Sequence, residues 1–320
     1  MKVNNNPKKI SVVINYCTNE KYFLDACIEN VQYFSNDIVV SYGSKLYDGT
    51  PENIKLINES RHKYPNVKFV EYKVDPSIDL NQQLGVISRP KAYWHNLARW
   101  TGFEKLNNKY WTLFLDVDEI PDGKKFLNFI QTKDLEEDVI YKIANYWYYK
   151  FVNYQSVYWE DSAILLNTSD LKKENFFGDL ERNHILSSST INNVCRFATN
   201  TDGLPLIHHY SWVRTKRQLM FKLRNWGHAS DISNGEKICD LMFSTSEFNN
   251  VIKNHRYIYV QDYFNIDNLL STNQIVMPTQ YNYSRNELCP CRLGKRYKDC
   301  HGSLTGHKNI PLQKSIFNWG

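Results

Sequence analysis

Short apolar runs alternate with segments of helical periodicity through the first 115 residues of this 320-residue chain. Residues 11–14 form a buried-strand run, and residues 19–34 carry apolar side chains at the spacing of an amphipathic helix. The alternation continues with strands at 38–40, 67–72 and 110–115 and helices at 51–64 and 92–106. Because such alternation is typical of helices that cross over a mainly parallel sheet, the sequence predicts an α/β fold.

The pattern changes after residue 123, where longer runs rich in Tyr, Trp, Ile and Val replace the alternation. These residue types favour strands. A short helix, three strands and a basic helix are predicted at 124–131, 139–152, 155–166, 206–210 and 215–226. The stretch 236–277 is interpreted as mixed α/β structure that completes a domain at 1–277.

The composition narrows the functional classes. Hydrophobic residues make up 42% of the chain and aromatic residues 14%, as in a folded globule, and the net charge is +5. A charge this small suits an anionic small ligand but does not indicate nucleic acid. No run approaches the roughly 18 apolar residues that span a bilayer, and the polar N-terminus has no apolar core of a signal peptide. We therefore expect no membrane span.

The spacing of the cysteines indicates the redox state of the compartment in which the protein is located. The chain has 7 Cys, of which Cys17, Cys27, Cys195 and Cys239 are scattered without the spacing of a disulfide framework. Scattered single cysteines indicate reduced thiols. We therefore expect a cytoplasmic location.

Three carboxylates follow the strand predicted at 110–115. Asp116, Asp118 and Glu119 end an apolar run and lead into a Pro-Asp-Gly turn. Crowded carboxylates repel one another and are costly to bury unless a positive charge lies among them. Oxygen ligands suit Mg²⁺ or Mn²⁺, which often join a protein carboxylate to substrate phosphates. The pattern predicts a divalent-cation site, and a solvated turn is the plainer alternative.

This order of elements and the segment FLDVDEIP at 114–121 resemble a GT-A glycosyltransferase with a Rossmann-type sheet, in its β-1,4-N-acetylglucosaminyltransferase-like branch. The resemblance implies a nucleotide-sugar donor, a hydroxyl acceptor on a glycan, protein or lipid, and an inverting outcome. It also implies that Asp118 binds Mn²⁺ or Mg²⁺ directly. Asp116 would contact the ribose or a metal-bound water, and Glu119 would support them or act as a partial ligand.

A second segment, HHYSWVR at 208–214, resembles the His-x-Ser-Trp-type segment of the same enzymes. There a histidine supplies a further metal or diphosphate contact, and we favour His209 over His208 for this position. The basic stretch that follows includes Arg214 and Lys222, which could neutralise a diphosphate leaving group. The basic outer face of an ordinary amphipathic helix explains both residues equally well.

Further donor contacts are predicted from position. In similar enzymes an Arg or Asn before the metal strand touches the nucleotide, which points to Arg89 and Arg99. His95 and Arg99 share a helical face, so ordinary ion pairing is an equal alternative. Asn15, in the first loop, is expected to contact the base, and the positional candidates beside it are Tyr16, Glu20 and Asp48.

An inverting transferase also needs a carboxylate that deprotonates the acceptor hydroxyl. Glu160 and Asp161 form an acidic pair inside an aromatic, strand-like run and are our first choice. Asp179 and Glu181 are the second choice. Either pair could instead belong to a plain turn.

The C-terminal region carries a separate metal motif. Cys289 and Cys291 are followed, after a gap of eight residues, by Cys300 and His301. Three thiols and one imidazole suit tetrahedral Zn²⁺, and a filled set of four ligands indicates a structural site. Residues 284–302 resemble the SEC-C motif, which ends the bacterial preprotein-translocase ATPase and is appended to many unrelated proteins. We predict a zinc knuckle at 278–306, a docking surface for a protein or anionic partner, and a tail at 307–320.

Two other classes compete with the transferase. A strand that ends in Asp-x-Asp also occurs in phosphatases of the haloacid-dehalogenase type, but there the motif normally opens the domain. The second alternative is a non-catalytic adaptor, in which the zinc knuckle binds a partner and the α/β domain is a degenerate scaffold.

Overall fold

The computed structural model describes residues 9–75, 77, 90–178, 181–225, 235–244 and 255–266, and the single residues 286, 296 and 298. The chain divides into two compact units, Met1–Pro278 and Thr279–Gly320. The first unit contains the helices and strands given below. The predicted tail at 307–320 lies outside the described residues.

Within the described residues, ten strands form one sheet. Their bounds are β1 Ile10–Tyr16, β2 Asp37–Gly43, β3 Lys68–Tyr72, β4 Trp111–Asp116, β5 Glu119–Pro121, β6 Val139–Tyr149, β7 Tyr154–Asn167, β8 Asn193–Ala198, β9 Ile207–Trp212 and β10 Tyr257–Tyr259. The helices are α1 Lys21–Val31, α2 Ile54–Lys63, α3 Pro90–Glu104, α4 Gly123–Thr132, α5 Arg182–Ser188, α6 Lys216–Asn225 and α7 Gly235–Ser244. Short 3-10 turns occur at Thr18–Glu20 and Lys173–Asn175.

The sheet is parallel in its first half and mixed in its second. The strand order is β3-β2-β1-β4-β7-β6-β9-β5, with β8 paired to β6 and β10 paired to β7. Strands β1 to β4 run parallel, whereas β7 is antiparallel to both β4 and β6. A short connection between β6 and β7 forces this antiparallel pairing. The predicted α/β class is confirmed, and the mainly parallel description holds for the first four strands.

Helices cover both faces of the parallel half. Val12 and Ile14 of β1 belong to the core cluster that includes Phe23 of α1. Val13, which alternates with them, packs in the opposite cluster with Phe103 of α3. Because both faces are covered, the carboxyl edge of the strands is the place where a ligand can reach the sheet.

The described helices are short. The longest, α3, has 15 residues, whereas about 20 apolar residues are needed to cross a bilayer. Among the described residues, none of the helices has the length and hydrophobicity of a membrane span.

Candidate functional site

A pocket of about 240 Å³ lies at the carboxyl edge of the parallel strands. Asn15, near the end of β1, is in register with Ser41 of β2 on one side and with Asp116 of β4 on the other. Asp116 and Asp118 both line this pocket. Other residues that line it include Asn15, Tyr16, Asn19, Glu20, Lys45, Tyr47, Glu52, Tyr72, His95, Ser162, Glu181, Arg182, His209 and Lys222.

Two arginines compensate the charge of Asp116. Arg99 Nη2 lies 3.1 Å from its Oδ1, and Arg182 Nη2 lies 3.3 Å from its Oδ2. Asn15 Nδ2 donates to Oδ1 at 3.4 Å. Burial alone would raise the pKa of Asp116, but Arg182 and Arg99 outweigh it and hold the pKa well below its usual range. Asp116 is therefore a fixed anion at neutral pH.

Asp118 has a different set of cations. Its Oδ2 lies 2.9 Å from Arg214 Nη2 and 2.8 Å from Lys222 Nζ, and its Oδ1 faces His209 Nε2 at 3.8 Å. Burial would raise the pKa of Asp118, but Lys222 and Arg214 outweigh it and hold the pKa well below its usual range. Glu20 contacts the same Arg214 and Lys222.

Glu119 fixes the turn between these two aspartates. It is fully buried and binds Arg182 at both oxygens, at 2.5 and 2.8 Å. Its Oε2 also accepts from the backbone N–H of Asp116 at 2.8 Å. Glu119 therefore supports the geometry of Asp116 through Arg182 and the backbone.

The two consecutive histidines lie on opposite sides of β9. His209 lines the pocket, and β9 pairs with β5 so that His209 is opposite Glu119. His208 is fully buried, contacts Tyr148 Oη at 2.7 Å through Nδ1, and has its pKa lowered to about 3 by burial. The structure thus places His209, the residue favoured from sequence, beside Asp118.

The residues around Asp118 include donor types that suit a divalent cation, and the cation itself stays a prediction. Asp118 Oδ1 and His209 Nε2 lie 3.8 Å apart, and a carboxylate oxygen and an imidazole nitrogen are both donor types that Mn²⁺ accepts. The described part of the chain contains no group of three or more His, Cys, Asp or Glu side chains that could hold a metal. Mg²⁺ commonly takes only one or two protein carboxylates and completes its shell with water and substrate phosphates.

The predicted donor contacts divide into two groups. Asn15 and Lys222 line the pocket. Arg99 and Arg214 are buried and reach the aspartates, with Arg214 also bound to the carbonyls of Tyr210 and Ser211. These two arginines therefore hold Asp116 and Asp118 in place, and their predicted contact with the donor stays a prediction.

Three further positional candidates have distinct surroundings. Tyr16 and Glu20 line the pocket. Asp48 is instead bonded to Asn225 on α6, at 2.9 Å through its backbone N–H. Arg89 lies outside the described residues.

The first-choice base pair lies in a neighbouring groove. Asp161 is paired with Arg196, whose Nη2 donates at 3.0 Å, and with Lys142 Nζ at 3.1 Å. Glu160 and Asp161 line a groove of about 280 Å³ that meets the pocket at Ser162, which lines both. The assignment of Glu160 and Asp161 as the base stays a prediction.

The structure describes only one residue of the second-choice base pair. Asp179 lies outside the described residues, whereas Glu181 lines the pocket. Glu181 contacts His95 Nδ1 and Arg99 Nη2, each at 3.4 Å. Its φ of 51° places a non-glycine residue in a sparsely populated region, and such strain is concentrated at functional sites. The role of Glu181 as the base, like that of Glu160 and Asp161, stays a prediction.

The pocket residues that were not predicted from sequence include Arg182 and Glu52. Arg182 immediately follows Glu181, which was a predicted site residue. Its contacts with Asp116 and Glu119, however, depend on the turn before α5. Glu52 follows Pro51 at the predicted start of a helix and was interpreted as part of that helix. In the structure α2 begins at Ile54, and the N-cap Asn53 separates it from Glu52.

Comparison with known proteins gives one motif and several distant structural likenesses. The SEC-C motif matches residues 285–303, which confirms the motif predicted from sequence. Its predicted zinc ligands Cys289, Cys291, Cys300 and His301 lie outside the described residues, so zinc binding stays a prediction. No curated protein sequence matches the chain.

Three solved structures resemble the fold. The inositol-1-phosphate CTP transferase from T. maritima has 10% identity and a TM-score of 0.34, over 65% of this chain and 91% of that chain. The WbbM bifunctional glycosyltransferase in its apo form has 14% identity and a TM-score of 0.35, over 66% and 47%. The glycosyltransferase GlyE of Streptococcus pneumoniae TIGR4 has 12% identity and a TM-score of 0.33, over 74% and 64%. The match spans less than two thirds of the two glycosyltransferases, and TM-scores this low carry no functional conclusion.

Proposed function

We propose that this protein is a metal-dependent glycosyltransferase of GT-A type that transfers a sugar from a nucleotide-sugar donor to a hydroxyl acceptor with inversion. The observation that carries the proposal is the pair Asp116 and Asp118 in one pocket at the carboxyl edge of a parallel sheet, with His209 beside Asp118. Open α/β sheets bind ligands at this edge. The resemblance of segments 114–121 and 208–214 supports the β-1,4-N-acetylglucosaminyltransferase-like branch.

The side chains have separable roles in this proposal. Asp118 Oδ1 and His209 Nε2 would hold Mn²⁺ or Mg²⁺, which when bound supplies charge stabilisation for the leaving diphosphate. Lys222 lines the pocket beside Asp118, and its ammonium group would bind a phosphate oxygen of the donor and stabilise its negative charge. Arg214 keeps Asp118 ionised and in place, because its guanidinium is fully buried against two backbone carbonyls.

The acceptor hydroxyl must lose a proton as it attacks the anomeric carbon. A carboxylate within hydrogen-bond reach of that hydroxyl is needed. Glu181 has the better position, since it lines the same pocket as Asp116. Glu160 and Asp161 remain the alternative, at the side of the pocket marked by Ser162.

Release of nucleoside diphosphate tests the proposed function. The full chain is incubated with UDP-, GDP- and dTDP-sugars and a mixed glycan acceptor, with Mn²⁺ and with chelator. We expect release from one donor class that requires the divalent cation. If the folded protein neither binds nor turns over any of these donors, the adaptor alternative is favoured.

Variants of the two base candidates give a further prediction. Glu181→Gln is expected to lower the transfer rate by about 100-fold or more, because general base catalysis contributes this much, while donor affinity changes only a few-fold. Asp161→Asn is the matched control and is expected to leave the rate within a few-fold of the unmodified protein. The reverse pattern, with donor binding intact in both variants, would assign the base to the pair predicted from sequence.

The C-terminal motif is proposed to bind structural Zn²⁺ and to act as a docking element. We expect close to one zinc ion per chain in the unmodified protein and a lower zinc content in Cys300→Ser, because this substitution removes one of four ligands. Elemental analysis by mass spectrometry measures this directly, and Cys195→Ser, outside the motif, is the control. Equal zinc content in the Cys300→Ser variant and the unmodified protein would contradict the assignment.

A further inference from the structure

Ser162 lies where the pocket meets the neighbouring groove, and it lines both of them. The register of β4 and β7 pairs Phe114 with Ile164, and two residues further it leads from Asp116 to Ser162. Because neighbouring strands lie about 5 Å apart, Ser162 is next to the carboxylates at which the proposed transfer takes place. The proposed chemistry does not use this hydroxyl group.

Asn145 of β6 fixes the polarity of the Ser162 hydroxyl. Asn145 is fully buried, and its Nδ2 donates to Ser162 Oγ at 3.0 Å. Asn145 is opposite Glu160, so Ser162, two residues further along β7, lies on the same face of the sheet. A serine hydroxyl that accepts such a bond keeps its own O–H as a donor. No acceptor of this hydrogen occurs among the described residues, so it is available to a ligand.

The groove beside Ser162 has aromatic walls. Trp159 and Phe197 line it and are 38% and 43% exposed. Phe197 has a φ of 52°, which is sparsely populated for a bulky residue, and such strain is concentrated at functional sites. Arg196 lies over the Phe197 ring. Exposed rings beside polar groups suit a sugar, which presents C–H groups on its faces and hydroxyls at its rim.

The strand order places this groove on the acceptor side of the proposed reaction. Strand β7 borders β4 on the side away from β1. A donor whose base lies near Asn15 of β1 and whose phosphates lie near Asp118 would extend its sugar toward β7. An inverting transfer needs the acceptor on the side of the anomeric carbon opposite to the leaving diphosphate. An acceptor that enters through the groove would approach from this side and pass Ser162.

We propose that Ser162, held by Asn145, positions an acceptor sugar in the groove by donating a hydrogen bond to an oxygen beside the attacking hydroxyl; this rests on the proposed function. The attacking oxygen forms its bond to the anomeric carbon as the bond from that carbon to the diphosphate oxygen breaks. The electron pair of the broken bond leaves with the nucleoside diphosphate, and the hydroxyl proton passes to the carboxylate base. Ser162 and Asn145 are positioning residues, because neither takes up the proton.

This role separates transfer to the acceptor from hydrolysis of the donor by water, since water lacks the sugar oxygen that Ser162 holds. Ser162→Ala is expected to lower kcat/KM for the acceptor by about 3- to 10-fold, the worth of one hydrogen bond. The donor KM and the rate of donor hydrolysis should stay within about 2-fold. Ser162→Thr keeps the hydroxyl, and threonine suits a strand, so this variant should keep the original ratio of transfer to hydrolysis.

Asn145→Asp tests the polarity of the pair while Ser162 stays in place. A carboxylate at this position only accepts, so the Ser162 O–H must donate to it and is lost to the acceptor. We expect the same loss of transfer as in Ser162→Ala, with donor hydrolysis retained. Ser169→Ala, at an exposed serine just after β7, is the matched control and should behave like the unmodified protein.

The experiment incubates the full chain and each variant with UDP-, GDP- and dTDP-sugars and Mn²⁺, with and without a mixed glycan acceptor. Free sugar measures hydrolysis, and the extended glycan, separated by chromatography, measures transfer. Retained donor hydrolysis shows that a variant is folded. If the buried carboxylate of Asn145→Asp prevents folding, the comparison of Ser162→Ala with Ser162→Thr decides the proposal.

The possible outcomes separate the two proposals. A lower ratio of transfer to hydrolysis in Ser162→Ala and Asn145→Asp, with the ratio kept in Ser162→Thr, supports the role of the pair. An unchanged ratio in Ser162→Ala, or hydrolysis by the unmodified protein without transfer to any glycan, overturns this role and leaves donor use standing. No binding or turnover of any donor by the unmodified protein overturns the proposed function itself.

Discussion

Replacing Asp118 with asparagine is expected to remove metal-dependent donor binding from this protein. Asp118 offers Oδ1 toward His209, and the neutral amide is a much weaker ligand for a hard cation than a carboxylate. Even loss of a supporting residue costs about 10- to 100-fold in metal affinity, so loss of a ligand should cost at least about 100-fold. The six-line electron paramagnetic resonance signal of free Mn²⁺, which is lost on binding, measures this with and without UDP.

Asp122→Asn is the matched control for this prediction. Asp122 belongs to the same acidic segment but caps α4, where its side chain accepts from Lys125 N–H. Asparagine caps helices about as well as aspartate. Asp122→Asn should therefore bind Mn²⁺ like the unmodified protein, and equal Mn²⁺ binding by Asp118→Asn would contradict the assignment of the cation site.

Replacing Glu119 with alanine is expected to lower the free energy of unfolding much more than replacing an exposed acidic residue does. Glu119 is fully buried and binds Arg182 through both oxygens, and Arg182 is itself largely buried. Removal of one partner of a buried ion pair costs about 3–5 kcal/mol, and Arg182 would keep only its longer contact with Asp116, at 3.3 Å. The backbone N–H of Asp116 would also lose its acceptor. Chemical denaturation measures the change in the free energy of unfolding.

Asp240→Ala provides the comparison for an exposed ion pair. Asp240 on α7 contacts Lys216 at 2.7 Å, but both side chains are more than half exposed. Exposed pairs contribute about 0–1 kcal/mol, so this variant should be close to the unmodified protein. If Glu119→Ala proved no less stable than Asp240→Ala, the buried pair could not be what holds the turn between Asp116 and Asp118.

The parallel half of the sheet was predictable because three of its four strands, β1, β2 and β4, are largely apolar and buried. Strands buried on both faces lack polar alternation, so β1, β2 and β4 stand out from the helices between them. The short strands β5, β8 and β10 were not predicted. The three residues of β5 look like part of an acidic turn, and only pairing with β9 makes them a strand.

The site was predictable where motif residues themselves enter it. Asp116, Asp118 and His209 were identified from two segments, and the structure brings them into one pocket. The partners of these residues were less accessible to sequence reasoning, because they come from distant elements. Arg182 contacts Asp116 and Glu119 from the start of α5. It follows a residue with positive φ, and no local sequence pattern predicts this conformation.

The base assignment illustrates the same limit. The run around Glu160 and Asp161 has the composition of a sugar-contacting strand, which made this pair the first choice. Sequence does not reveal that Arg196 and Lys142 converge on Asp161 from β8 and β6. Nor does it reveal that Glu181 enters the pocket of Asp116, since this depends on the packing of α3 and α5 against the end of β4.

A thermal-shift screen of the full, zinc-loaded chain against UDP-, GDP-, CMP- and dTDP-sugars, with and without Mn²⁺, tests the central claim most directly. A ligand that binds the native state raises the melting temperature by mass action. We expect a rise with one class of nucleotide-sugar that requires Mn²⁺ and is absent in Asp118→Asn. Folded protein whose melting temperature no donor raises, with or without Mn²⁺, would contradict the claim that this pocket is a nucleotide-sugar site.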